Sequence, residues 1–201
     1  MKKSTKDKLL DAALEVMAER GYRGATTREI ASRAGVCELT LFRHFGTKEN
    51  LFRALLQKYS FTPKLIEILS ASSDKPLKDV LKRIGTELYK TMQRKKPVMR
   101  VVLSEVVLRP EPVAFVLKEM IYQNISELER FLKSLKKQGL LKDVKLEVIA
   151  RSFLGSIFSF FHTEEIVLGK SLSKKKIEDF IENLTEIFLK GVLNEGPEKK
   201  K

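Results

Sequence analysis

The stretch TTREIASRAGVCELTLFRHFGTKENLF, residues 26–52, holds two helix signals joined by a glycine. Each is too short to be stable alone. Thr27 is a candidate N-cap, with Glu29 placing negative charge in the first turn. Ile30, Ala31 and Ala34 form the inward face of the first helix, and Gly35 can take the left-handed conformation of a tight turn. Val36 and Leu41 fill the angle between the helices. Phe42 and Phe45 end the second helix and need an apolar bed, which Val16, Met17, Leu51 and Leu55 can supply. Two short helices crossed through a glycine turn, with a third packed behind, form a helix-turn-helix. Such a unit presents its second helix outward, where it fits a major groove about 12 Å wide.

Working outward, nearly every segment shows helical spacing. Leu9, Leu10, Ala13, Leu14 and Met17 share one face of a first helix that Gly21 ends. The pattern predicts an all-α fold of about nine helices near 4–20, 27–34, 38–44, 48–71, 75–94, 97–107, 111–138, 144–168 and 173–194. Thr47 and Ser173 start helices, with Glu49 acidic in the first turn after Thr47. Pro76, Pro97 and Pro112 fall in first turns, and Gly139 and Gly169 follow long periodic runs as C-caps. The Val-rich piece at 100–108 is ambiguous in periodicity, and its flanks favour helix. These breaks predict a helix-turn-helix domain over 1–47, a connecting helix over 48–71, a larger helical domain over 48–195 and a disordered basic tail over 196–201.

The 201 residues can bury a substantial core, and 43% are hydrophobic. The single cysteine, Cys37, excludes an intramolecular disulfide. The basic amino terminus leads into an amphipathic helix and not an apolar signal core, and the longest uncharged apolar stretch, 152–163, is too short to span a bilayer. A cytoplasmic protein without membrane segments is expected. The net charge of +13 suits polyanion partners but is spread along the chain, in runs such as Arg94-Lys95-Lys96 and Lys174-Lys175-Lys176, which are expected to be solvated helix faces. Only two histidines occur, His44 and His162, outside any metal-binding spacing. No nucleophile elbow or glycine-rich phosphate loop is present, and the acidic pair Glu164-Glu165 has no identifiable partner. No catalytic residue, metal or cofactor is expected.

The residues Thr27, Ile30-Ala31, Ala34-Gly35-Val36, Leu41-Phe42, His44-Phe45 and Lys48-Glu49-Asn50-Leu51-Phe52 follow one continuous order. In that order the segment resembles the amino-terminal DNA-binding segment of the TetR family, the tetracycline-repressor-like regulators. The resemblance covers about a quarter of the chain; the carboxyl-terminal part is similar only in length and helix count. It implies a ligand-responsive, sequence-specific regulator, a repressor that leaves a palindromic operator when a small effector binds. It also implies a homodimer joined through the last two helices, and a ligand pocket inside the larger domain. Two reading heads must then meet groove positions about 34–36 Å apart. Repression is favoured over activation because blocking a promoter needs only occupancy.

Phosphate positioning and base reading are separate tasks. For phosphates the candidates are Thr27, Arg28, Arg43, His44 and Lys48. For base edges they are Glu38, Leu39 and Thr40, with Glu38 able to accept from a cytosine amino group. Arg28 and Arg43 also read as solvated cations, and His44 as a packed helix end. Two residues depart from the family pattern. Cys37 stands where Ser or Thr usually caps the recognition helix, and Phe42 where Tyr is common. Cys37 is expected to be a half-buried cap substitute, with a redox-sensing thiol as the sharper alternative.

In the larger domain Tyr89, Met92, Met99, Leu103, Phe115, Tyr122, Phe158, Phe161 and His162 are candidate pocket residues, for an apolar or amphipathic effector. Each also reads as plain core. Phe153, Ile157, Phe180, Leu184, Ile187 and Phe188 lie on broad apolar stripes of the last two helices and are candidates for the dimer interface or a deep core. Gly155, Ser156 and Ser159 can let two helices approach, within a protomer or across a dimer. The competing reading is an all-helical adaptor that binds anionic surfaces or RNA without duplex sequence preference.

Overall fold

The computed structural model describes residues 3–72, 74–108 and 113–194, with side chains described except at 104–108 and 113–115. The expected basic tail over 196–201 and Pro112 lie outside the described residues. Among those residues the chain is helical: α1 (Thr5–Gly24), α2 (Thr27–Arg33), α3 (Glu38–Phe45), α4 (Lys48–Lys58), α5 (Thr62–Ser70), α6 (Leu77–Arg94), α7 (Lys96–Leu108), α8 (Val113–Lys137), α9 (Leu146–Phe161), a π-helix (His162–Val167) and α10 (Lys174–Val192). The one sheet-type pairing described is an isolated antiparallel bridge between Leu141 and Leu193.

Among the described residues the backbone packs as two compact units, the first within 3–60 and 95–120, the second within 61–94 and 121–194. In the first unit, α1 buries Leu9, Leu10, Ala12, Ala13, Val16 and Met17. Ile30 and Ala31 of α2, Leu41 and Phe45 of α3, and Leu51, Phe52, Leu55 and Leu56 of α4 complete the same core. Val98, Val101 and Val102 of α7 and Val116 of α8 also belong to it. The Val-rich segment is therefore helix, and its buried valines supply a wall of the first core.

In the second unit α6 carries Val80, Leu81, Ile84, Tyr89 and Met92 inward. Ile149, Phe153, Leu154, Ile157 and Phe161 of α9, and Ile181, Leu184, Leu189 and Val192 of α10, are buried as well. Helices α6, α9 and α10 meet closely at Gly85, where a Cβ would lie 3.0 Å from Ile181 Cγ2 and 3.4 Å from Ile157 Cδ1. At that spacing even a methyl group would press on the Ile181 side chain and require it to shift.

Most helix ends fall where the sequence puts them, for the expected reasons. Thr47 accepts from the Asn50 N–H and Ser173 from the Lys176 N–H. Gly139 and Gly169 have φ of 74° and 63°. Gly21, at φ 71° and ψ 170°, breaks the helical path of α1. Several boundaries differ: α1 runs on to Gly24 past the expected stop at Gly21, and the helix expected over 144–168 is α-helical from Leu146 to Phe161 with a π-helix after it. The cap of α2 is Thr26, whose hydroxyl accepts from the Glu29 N–H, and Thr27 is the first helical residue. The expected helix over 48–71 is two helices: α4 ends at Lys58, and α5 starts afresh with Pro63 in its first turn. A proline there is tolerated only because its missing N–H would have had no intrahelical partner.

Candidate nucleic-acid interface

The first unit builds a surface from α2, α3 and the start of α4. Gly35 sits at φ 72° between α2 and α3, and the Val36 N–H donates to Ala31 O at 3.0 Å across the turn. Leu41 is fully buried and Phe45 is 7% exposed, so these two fix one face of α3 against the core. Tyr22 and Phe52 pack ring against ring beneath it, with centroids 5.0 Å apart. Gly46, at φ 72°, ends α3 and delivers its N–H to Phe42 O. The helix so held is only eight residues long. Its stability comes from this packing.

The opposite face of α3 is left outward. Leu39 is 68% exposed and Phe42 43% exposed, two large apolar side chains facing outward on a short helix. Phe42 therefore does not share the apolar bed expected for it; Phe45 alone is buried there. Arg43 is exposed and holds no ion pair among the described residues. His44 is exposed, its ring tilted beside Phe45 at 6.1 Å. Thr40 is half-buried, and its hydroxyl lies 3.2 Å from Cys37 Sγ.

Cys37 is the N-cap of α3 in extended conformation, and its side chain makes no capping hydrogen bond. It is exposed, not half-buried. The Thr40 hydroxyl, together with the backbone N–H groups at the helix start, holds its thiol below the ordinary range. The start of α3 is fastened instead by Glu38. Thr27 Oγ1 donates to Glu38 Oε1 at 2.6 Å, and Arg28 Nε lies 3.8 Å from Glu38 Oε2. Lys48, at the start of α4, donates to Arg23 O at 3.3 Å and lies over the Tyr22 ring, 4.6 Å from its centroid. Two further arginines of α1 and α2 are engaged elsewhere: Arg33 with Glu19 at 2.5 and 3.0 Å, and Arg20 with Glu29 at 3.0 Å. Thr27, Arg28, Glu38, Leu39, Thr40, Arg43, His44 and Lys48 thus belong to one helix pair and the helix start beside it.

The candidate effector residues are divided. Met99 and Leu103, both half-buried, belong to the first unit, and the side chain of Phe115 lies outside the described residues. In the second unit Tyr89 and Phe161 are fully buried and Met92 is 5% exposed. His162 is half-buried and stacks on Phe158, which is 37% exposed. Tyr122 is 47% exposed, with the Arg151 guanidinium over its ring at 5.1 Å.

Glu165 was not among the candidates, and it is the buried polar centre of this unit. It is 3% exposed and accepts from Tyr89 Oη at 2.8 Å and Gln93 Nε2 at 2.7 Å. Burial and the neighbouring carboxylate push the Tyr89 phenol well above its usual value. Glu164 points elsewhere and pairs with Lys170 at 3.2 Å and Lys176 at 3.4 Å. The acidic pair therefore has partners on both sides. Helical periodicity could not have separated the two residues, because the π-helix changes the register at that point.

Of the candidate interface residues, Phe153 and Ile157 are fully buried within the protomer, and Phe153 meets Phe188 edge-on at 5.2 Å. Leu184 is 9% exposed, and half-buried Phe180 stacks on Phe160 at 3.8 Å. Ile187 faces outward, 67% exposed. An open groove of about 700 Å³ runs past Gly155, Ser156, Ser159, Phe160, Phe180 and Leu184. Gly155 has open space where a Cβ would stand, so no neighbouring helix of the protomer fills that place.

Comparison with known proteins agrees with this geometry. Residues 9–55 match the family model of bacterial regulatory proteins of the tetR family, and residues 79–191 match that of the AefR-like transcriptional repressor C-terminal domain. The helix-turn-helix-type transcriptional regulator YvkB of Bacillus subtilis is 30% identical over 189 residues, covering 94% of this chain and 97% of YvkB. A TetR-family regulator of Mesorhizobium loti has the same fold at TM-score 0.79 and 19% identity, over 94% of this chain and 97% of its own. The fold of FadR from Bacillus subtilis, solved in complex with stearoyl-CoA, superposes at TM-score 0.74 and 18% identity, over 92% of this chain and 98% of FadR. With its helix-turn-helix and both family matches in place, the chain belongs to the tetR family of bacterial regulatory proteins, and is a transcriptional regulator and not an enzyme.

Proposed function

We propose that the protein is a homodimeric repressor that occupies a palindromic operator through α2 and α3 and leaves it when an apolar or amphipathic small molecule binds its carboxyl-terminal domain. The observation that carries the reading is α3. This short helix is locked from behind by Leu41 and Phe45 and presents Leu39, Phe42, Arg43 and His44 outward. In this reading Thr27, Arg28, Arg43, His44 and Lys48 meet phosphates, and Glu38, Leu39 and Thr40 meet base edges. Cys37 and Phe42 lie on the same surface. Residues 1–47 form the reading head, and the effector site lies within residues 48–195. Acting on DNA, the protein works in the bacterial cytoplasm.

An effector with an apolar body is supported by the buried aromatic cluster of the second unit, where Tyr89 packs edge-on against Phe161, and by the stearoyl-CoA bound to FadR. Dimerisation through α9 and α10 is supported by exposed Ile187 and Phe158 and by the groove past Gly155. Ile187→Lys removes no buried contact, and light scattering should then find a monomer; a persistent dimer would move the interface elsewhere.

The test of the whole reading is fluorescence anisotropy with duplex from upstream of the protein's own gene and with shuffled duplex, at several salt concentrations. Binding about a thousandfold tighter to the upstream fragment, with protection of a palindrome, is the expected result. Equal, weak and steeply salt-dependent binding to both would favour a generic anionic-surface adaptor.

A further inference from the structure

We infer that Glu38 couples base reading to phosphate contact: its carboxylate holds Thr27 and Arg28 in the unbound protein and releases both when a base amino group takes their place. The inference rests on the DNA-binding reading above and concerns how selectivity is set. Glu38 is the first residue of α3, and Thr27 and Arg28 are the first two of α2. One carboxylate therefore ties together the amino-terminal ends of both helices. Oε1 accepts from the Thr27 hydroxyl at 2.6 Å, the length of a charge-assisted bond. Oε2 faces Arg28 Nε at 3.8 Å. The Glu38 side chain is 34% exposed and that of Arg28 87%, so the pair lies within reach of a ligand arriving from solvent.

A carboxylate and a phosphate diester are both oxyanions that accept from hydroxyl and guanidinium groups. Glu38 is thus an internal competitor for the donors that a DNA backbone would use. On a duplex of arbitrary sequence there are two outcomes. Either Arg28 stays with Glu38 and contributes nothing to phosphate binding, or it leaves and strands a carboxylate beside a polyanion. On a site that offers a cytosine N4 amino group under the start of α3, the carboxylate has a new donor, and Thr27 and Arg28 are free to move to phosphate. The cost falls on the wrong sequences alone, which raises discrimination without tightening the correct complex.

The experiment is a double-mutant cycle on the full-length protein: wild type, Glu38→Gln, Arg28→Ala and the double variant, titrated with random-sequence duplex across a salt series. Glu38→Gln keeps the shape and an acceptor for Thr27 while removing the charge. It should tighten random-duplex binding by about fivefold per reading head, a size set by the modest strength of an exposed pair. It should also steepen the dependence of log K on log salt by about 0.9 per head as Arg28 gains a phosphate. Glu38→Ala should give a gain of the same direction, and in the Arg28→Ala background the gain should vanish. An equal gain with and without Arg28 would overturn the coupling, since the carboxylate would then act by general repulsion. An unchanged salt slope in Glu38→Gln would overturn it too. Wild type that binds no duplex at all would overturn the DNA-binding reading and the coupling together, whereas either of the other results leaves that reading standing.

Discussion

The two compact units bury helix faces with different material. The first unit's core is mostly aliphatic and small, from Leu9 and Ala13 to Ile30, Ala31, Leu41 and Leu51, with Tyr22, Phe45 and Phe52 as its buried rings. The second is rich in rings: Tyr89 packs against Phe160 and Phe161, Phe160 against Phe180, and Phe153 against Phe188. It also encloses a carboxylate, Glu165, carried on the π-helix. Small side chains let short helices approach and hold one geometry, as a surface that must fit a groove requires. Large rings, a buried polar cluster and an irregular helical turn are the features from which a cavity with polar handles can be made. The difference teaches that close packing of small and aliphatic side chains is enough to hold the short helices of the first unit, while the second adds a run of ring contacts and a buried polar cluster.

The comparison can be broken most directly at Leu41. Leu41→Ala deletes a fully buried side chain behind the reading helix. It should cost about 2–5 kcal/mol in urea denaturation and weaken DNA binding with it. Full binding with unchanged stability would mean that the aliphatic core does not hold α3 in place.

Tyr89→Phe probes the other unit. It removes one donor to buried Glu165 and should cost about 1–3 kcal/mol at neutral pH. Because the folded-state pKa of Tyr89 is raised, the contribution of its neutral phenol is present below the unfolded value of about 10 and lost as pH rises above it. The stability gap between wild type and Tyr89→Phe should therefore narrow above pH of about 10. A gap that stays constant there would place the effect in packing alone.

The smallest effect is a gain. Cys37→Ser should supply the missing side-chain cap of α3 and raise stability by about 0.5–1 kcal/mol, read as a higher Tm. No change would show that the Glu38 bond to Thr27 already fixes that helix end.

The same contrast explains how much was legible in the sequence. The helix-turn-helix was readable because Gly35, Leu41, Phe45 and Thr47 each occupy a position that only one local geometry suits. The cap of α2 was missed by one residue because Thr26 and Thr27 are chemically equivalent at that point. The break between α4 and α5 had a signal in Pro63, but the apolar spacing runs through it and hides the new start. Glu165 left no signal. Which of two adjacent glutamates turns inward depends on the register change of the π-helix, which helical periodicity does not encode. The split of the apolar residues of α9 and α10 into buried Phe153 and Ile157 and outward Ile187 likewise depends on how the helices pack, not on their spacing.

The valines of α7 and α8 have a further consequence for how the protein is made. Val98, Val101, Val102 and Val116 complete a core begun by residues 9 to 56. On a ribosome adding about 5–20 residues per second, the amino-terminal helices emerge seconds before the segment that covers them. The reading head therefore does not supply the whole of its own core. Its last apolar wall arrives only after more than half of the chain has been synthesised, so that the core behind α3 is completed by the middle of the protein and not by its beginning.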